Sequence, residues 1–302
     1  MARIANATLS AIEAALVEDQ GARFRTLLGK HITNAGDAFR GESSPFRAHL
    51  GASLIGRECT RELWYSFHWA TKNVFNGRMH RLFNRGHLEE PRFVALLEMI
   101  GCTVWQVDDQ GKQFRINGHR GHFGGSIDAV ISGLPEMGTT PVLGEFKTHG
   151  DRSFKKLQDE GVQSAKWEHF VQMQTYMGRL QLPAALYLAA NKNDDEIYAE
   201  IVMFDQTVYD RYQQRSVIVI DAVGAPKRIN QSPGWFKCKF CDYKPVCHGT
   251  DLPEKNCRTC VHVKVGDNAT WNCTARDRDL SEADQLAGCP SYVMNPEMKA
   301  TL

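Results

Sequence analysis

The chain of 302 residues contains no apolar run long enough to cross a bilayer, so no membrane partner is expected. It also has almost no net charge, with 36 lysines and arginines against 35 acids. That balance excludes a uniformly basic molecule, so any affinity for nucleic acid has to come from local clusters. Internal repeats and low-complexity tracts are missing, which argues against a repeat architecture. Nothing resembles a flavin or nicotinamide site. Residues 2–28 are alanine-rich and amphipathic and carry acids, unlike an export signal. A cytoplasmic, reducing setting is expected, and there close cysteine pairs suggest metal binding rather than disulfides.

Chemistry is concentrated between Gly124 and Lys147, which reads G-G-S-I-D-A-V-I-S-G, a turn over residues 134–141, and V-L-G-E-F-K. Two strand-like segments are implied, the first carrying Asp128 and the second Glu145 and Lys147. Side chains alternate along a strand, so Glu145 and Lys147 share a face and Phe146 points the other way. If the strands pair as a hairpin, Asp128 falls beside Glu145. Two carboxylates so placed repel unless a divalent cation sits between them. With a neighbouring ammonium, that is the minimal equipment for metal-assisted phosphodiester hydrolysis. A divalent cation is therefore expected between Asp128 and Glu145, with Lys147 holding a water or a phosphate oxygen.

The periodicity predicts helices over residues 84–100, 166–182 and 205–223, and strands over 184–190 and 196–203. Pro183 closes the second helix. Gln172 and Tyr176, four apart, share a face of that helix. Basic residues flank the acidic stretch, with Arg81 and Arg85 at or just before the start of the first helix and Arg152, Lys155 and Lys156 after the E-F-K strand. They are candidate phosphate contacts, as are Lys237 and Lys239 further on.

Nine cysteines occur. Cys257, Cys260, Cys273 and Cys289 have the count and spacing of a closed structural site of four thiolates, for which Zn²⁺ is the natural occupant. Cys238, Cys241 and Cys247 form a second group, and His248 or His262 could replace a sulfur in either. A different split adds Cys257 to that trio. Cys102 is the expected spare, in the core. Four segments are expected: a helical extension (1–45), a core (46–224), a first cysteine segment (225–250) and a zinc-type module (251–302).

Asp128…Glu145-Phe146-Lys147 resembles the PD-(D/E)XK nuclease core, with Ile127 in place of the proline that names it. Gln172 and Tyr176 resemble the Q-x-x-x-Y element of the RecB-like branch, where these residues lie against the active site. In that branch an early helix supplies a further metal ligand soon after a glycine. Glu90 fits that slot, with His87 as second choice. By the same resemblance, Mg²⁺ or Mn²⁺ is implied on Asp128, Glu145 and the Phe146 carbonyl, with Lys147 orienting water or stabilising phosphate charge. The resemblance implies an α/β fold with an αβββαβ core, a mixed central sheet flanked by helices. The trio Cys238, Cys241 and Cys247, with Cys59 upstream, is similar to the cysteine frame of the iron–sulfur RecB-like nucleases and implies a 4Fe-4S cluster. The strings R-A-H-L-G-A-S-L-I-G-R-E-C, R-G-H-L-E-E and H-F-V-Q-M-Q-T-Y-M look similar to exonucleases of tailed phages. The resemblance therefore implies a DNA exonuclease of phage-type replication or recombination, working in the host cytoplasm. By analogy alone it implies a single-strand annealing or recombination partner. An endonuclease shares the same core chemistry, and a non-catalytic DNA-binding module on this scaffold is the remaining alternative.

Overall fold

The computed structural model describes residues 2–41 and 44–299 and resolves two compact units. The first comprises residues 1–43, 75–116 and 126–209, and the second residues 44–74, 117–125 and 210–302. Both mix helices with sheet, so the chain is of the α/β class. Among the described residues no helix is long and apolar enough to cross a membrane.

The first unit opens with helices α1 (Asn6–Glu18) and α2 (Ala22–His31), followed by the long α3 (Gly77–Met99). Asn76 caps α3 by accepting a hydrogen bond from the Met79 amide at 3.0 Å. The helix therefore begins seven residues before the expected start at 84, and Arg81 and Arg85 lie on it rather than before it. It continues through the buried Pro91. Five strands follow: β1 (Thr103–Trp105), β2 (Ala129–Ser132), β3 (Val142–His149), β4 (Ala184–Asn191) and β5 (Ile197–Met203). They form one sheet in that order, antiparallel except for the parallel β3–β4 pair. A parallel pair needs a crossover. Here it is supplied by α4 (Asp151–Ala165), a helix the sequence reading did not assign, and α5 (Trp167–Leu180). Gly161 interrupts α4 with φ 73°, and the Val162 amide there donates to the Glu200 carboxylate at 2.8 Å.

Strand alternation sorts the sheet's faces. Ala129, Ile131, Val142, Phe146, Leu186 and Leu188 join Phe93, Val94 and Leu97 of α3 in one apolar core. The Phe93 and Phe146 rings lie 5.3 Å apart. The opposite face, carrying Glu145, Lys147 and Tyr187, meets α4 and α5. Residues 3–5 extend the sheet beyond β5, where the Ala5 amide donates to the Ala199 carbonyl and the Ile201 amide to the Arg3 carbonyl, both at 2.9 Å.

In the second unit, Leu50 and Gly51 pair in parallel with Phe123 and Gly124. Strands Val263–Val265, Trp271–Cys273 and Arg278–Leu280 make an antiparallel sheet. Its core is aromatic, and Arg258 lies inside it. The guanidinium stacks 3.7 Å from the Trp69 ring and 4.4 Å from the Trp271 ring. It donates to the carbonyls of Phe67 and Ala48 and to the Gln285 amide oxygen. A buried cation is tolerable when its donors are occupied in this way.

Candidate active site

The antiparallel register pairs Ala129 with Gly144, which places Asp128 across from Glu145 where the β2–β3 ladder ends. The strand-like run expected across Gly124 to Ser132 is broken at Ile127 and Asp128, so Asp128 stands at a joint just ahead of β2. Its Oδ2 accepts a hydrogen bond from the Phe146 amide at 2.8 Å, which fixes the carboxylate against β3.

Glu145 is fully buried. Its Oε1 is ion-paired with the Lys147 ammonium, while Oε2 has no hydrogen-bond partner. The same ammonium donates to the Phe146 carbonyl at 3.0 Å and lies 3.7 Å from Asp128 Oδ2. One cationic group therefore touches all three oxygen sources expected to hold a metal. Burial pushes Glu145 up to about 7, an effect opposed by Lys147 and reinforced by Asp128 and Glu90. Burial alone would lower Lys147, but the Glu145 and Asp128 carboxylates overcome it and raise the ammonium's pKa.

Glu90 comes from α3, where it faces His87 across 3.4 Å. Burial raises its pKa, His87 lowers it, and Asp128 raises it again, so Glu90 belongs to the same electrostatic neighbourhood. His87 is raised chiefly by its contact with Glu90. Lys147 thus pairs with two carboxylates and acts on the third, Glu90, only through its charge. The chemistry of the donors suits a hard divalent cation, and one buried oxygen of Glu145 lacks a hydrogen-bond partner. Among the described residues, however, no three such side chains converge closely enough to hold a metal ion.

Helix α5 lays Gln172 and Tyr176 over this cluster. Both are buried, and the Gln172 amide donates to the Tyr176 hydroxyl at 3.3 Å. Burial raises the Tyr176 phenol, and the charges of Glu145 and Asp128 add to the effect.

Three further side chains belong here that sequence reasoning missed. Tyr187 of β4 is in register with Glu145. Its hydroxyl lies 2.9 Å from His149 Nε2 and 2.8 Å from His169 Nδ1. His149 Nδ1 is 3.3 Å from the Ser153 hydroxyl, to which Lys166 donates. Burial, helped by Lys166, Lys192 and Lys147, pushes His149 down to about 4. Burial, then Lys147, His149 and Lys166, pushes His169 down to about 3. Two neutral imidazoles therefore flank one phenol, one donating to its oxygen and the other accepting its proton. The signal was available, because His149 is two residues beyond Lys147 on the same strand face and His169 is three before Gln172 on the helix.

The basic residues Arg81, Arg85, Arg152, Lys155 and Lys156 are all exposed. Arg85 also donates to the Lys192 carbonyl at 2.7 Å, and Lys156 pairs with Glu160 at 3.7 Å.

The cysteines of the second unit fall into two neighbourhoods. Cys59 and Cys247 both act electrostatically on Cys238 and Cys241, and burial raises the thiols of Cys59 and Cys238 and pushes Cys241 up to about 12. Cys257, Cys260, Cys273 and Cys289, with His262, line a cavity of about 20 Å³, which has room for roughly one water-sized occupant. Among the described residues, however, no three His, Cys, Asp or Glu side chains are drawn into an arrangement that could hold a metal ion. Cys102 lies apart in the first unit, buried beneath the Gly133 carbonyl.

No family model and no curated protein matches the chain. Among solved structures, the alkaline exonuclease LHK-Exo from Laribacter hongkongensis is similar at TM-score 0.40 and 15% identity, over 57% of this chain and 86% of that one. Its complex with dAMP gives TM-score 0.40 and 17% identity over the same shares. The crystal structure of SSO0001 gives TM-score 0.37 and 14% identity, over 76% and 96%. Likeness this slight leaves the functional argument to the side chains themselves.

Proposed function

We propose that the chain is a divalent-metal-dependent deoxyribonuclease that degrades DNA from an end, in phage-type replication or recombination. The observation that carries this reading is the seat of the Lys147 ammonium, in contact with Asp128, Glu145 and the Phe146 carbonyl at once. Asp128, Glu145 and the Phe146 carbonyl would hold Mg²⁺ or Mn²⁺, with Glu90 and His87 on its α3 side. Bound there, the metal supplies a water of lowered pKa and a counter-charge for the phosphate. Lys147 donates to the attacking water or to a phosphoryl oxygen, stabilising charge that grows in the transition state. Gln172 and Tyr176 orient the carboxylates and the scissile strand. Their burial keeps bulk water from competing for those hydrogen bonds. Arg81, Arg85, Arg152, Lys155 and Lys156 receive the flanking phosphates.

In the second unit, Cys59, Cys238, Cys241 and Cys247 would hold a 4Fe-4S cluster and Cys257, Cys260, Cys273 and Cys289 a Zn²⁺ ion. The thiol chemistry and the grouping into two fours support this partition. Both centres would act as staples in a segment with few long apolar stretches.

The test compares cleavage of end-labelled linear DNA with that of covalently closed circular DNA, in Mg²⁺ or Mn²⁺, by anaerobically purified wild type and Asp128→Ala. Loss of the linear substrate alone, with wild type only, is the expected result. Cutting of the circle would make the enzyme an endonuclease. Undiminished activity in Asp128→Ala would overturn the assignment.

A further inference from the structure

Resting on the reading that this chain acts on DNA, we infer that residues 235–240 form a platform on which unpaired bases of a single strand stack. Phe236 and Phe240 are 60% and 79% exposed, although each ring would gain by burial. They are spaced four apart around the short helix Phe236–Lys239 and its C-cap, so they stand on one side of it. Cys238, between them in sequence, is buried. The same turn therefore directs a sulfur inward and two rings outward. Trp235 adds a third ring, 4.7 Å from that of Phe236 and tilted 57° to it.

The cations are interleaved with the rings. Lys237 lies 5.5 Å over the Phe236 ring and Lys239 5.4 Å over the Phe240 ring. Lys237 is also ion-paired with Glu58. Between residues 227 and 244 there are five basic side chains (Lys227, Arg228, Lys237, Lys239 and Lys244) and one acid, Asp242. This local excess stands out in a chain whose overall charge is close to zero. An exposed aromatic pair in basic surroundings complements a polyanion with flat apolar faces. Of the five cations, Lys237 is held by Glu58 and Arg228 by the Cys247 carbonyl, and a protein partner would satisfy the rings but not Lys227, Lys239 and Lys244. A duplex would satisfy the cations but not the rings, because its bases are already stacked on one another. Single-stranded DNA satisfies both, the bases stacking on the rings and the phosphates meeting the lysines.

The experiment measures binding without cleavage. Full-length protein carrying Asp128→Ala, purified anaerobically, is titrated into fluorescein-labelled oligothymidylate and into a duplex of the same length, and anisotropy is read at several salt concentrations. Single-strand affinity is expected to exceed duplex affinity. Phe236→Ala with Phe240→Ala should lower it by about tenfold per ring and leave duplex binding unchanged. Phe236→Tyr with Phe240→Tyr keeps both rings and should restore single-strand binding. Lys239→Ala should instead flatten the salt dependence on both substrates. Unaltered single-strand binding in the alanine pair, or equal losses in the alanine and tyrosine pairs, would overturn the platform. Because these readings need no catalysis, a chain that binds single strands in this way but never cleaves DNA would fail the nuclease reading alone.

Discussion

The Lys147 ammonium donates to the carbonyl oxygen of Phe146, its own neighbour in the chain, at 3.0 Å. A lysine turned back onto the preceding peptide is held there by the ion pair with Glu145 and the approach of Asp128. Without a metal, this side chain is what balances the acids. A bound cation has to share those oxygens with it.

Lys147→Met should therefore separate two roles. Breaking a buried ion pair costs about 3 kcal/mol, so the metal-free variant should melt several degrees below wild type. Added Mn²⁺ should then raise its melting temperature more than it raises that of wild type, because no ammonium competes for the site. Cleavage should be lost throughout. Equal Mn²⁺ shifts in the two proteins, by calorimetry, would refute the competition.

Asp128→Asn keeps an oxygen for the Phe146 amide and should fold with little change in melting temperature. Cleavage should drop by at least about 100-fold, since the lost charge would help hold the metal that offsets charge developing in the transition state. Rates within about tenfold of wild type in a single-turnover assay would contradict the role given to Asp128.

Acid should destabilise the fold through its buried imidazoles. Burial pushes His68 and His169 down to about 3 and His149 to about 4, whereas the unfolded chain titrates near 6.5. The unfolded state therefore binds more protons between those limits, and stability falls as pH drops below about 6.5. Each such group contributes up to roughly 1.4 kcal/mol per pH unit. Thermal melts from mildly alkaline to mildly acidic pH should show the decline, and His169→Gln should make it shallower. A melting temperature flat across that range would count against these three histidines being neutral.

Tyr187→Phe should remove the hydroxyl shared by the buried His149 and the half-buried His169 and leave a nitrogen of each ring without its partner. The expected cost is about 1–3 kcal/mol. Nitrogen chemical shifts of labelled histidines should change for both rings together, and a change confined to one would show that the phenol does not bridge them.

The cysteine partition makes a prediction in colour. Anaerobically purified protein should be brown and contain both iron and zinc. Cys59→Ser or Cys238→Ser should bleach it, Cys273→Ser should remove zinc but leave the colour, and Cys102→Ser should do neither. Colourless protein with about two zinc ions per chain would refute the cluster.

The placement of Asp128 opposite Glu145 was readable from strand alternation and loop length, because a period of two and a short turn leave few registers. That Gln172 and Tyr176 share one face of a helix was readable from their spacing, whereas a place for that face beside the acids was implied only by the family resemblance. The joint at Ile127 and Asp128 was not, because an apolar residue followed by an acid continues the strand pattern while the backbone departs from it. Helix α4 was obscured by its density of lysines and acids and by the break at Gly161. The expected helix already ran through Pro91, and its true start seven residues earlier is set by the Asn76 cap, ahead of the basic stretch over residues 77–83. The histidine–tyrosine cluster joins residues from two strands and a helix, and such company is set by register between β3 and β4 rather than by local sequence.

The pairing of residues 3–5 with β5 ties Ala5 to Ala199. During synthesis at about 5–20 residues per second, the early segment emerges roughly 10–40 s before its partner strand. Until then the last edge of the sheet cannot be closed, and afterwards that edge is masked against pairing with other chains. A short affinity tag placed directly against residue 2 would burden this late closure. It would be read out as lower yield of soluble protein rather than as slower chemistry.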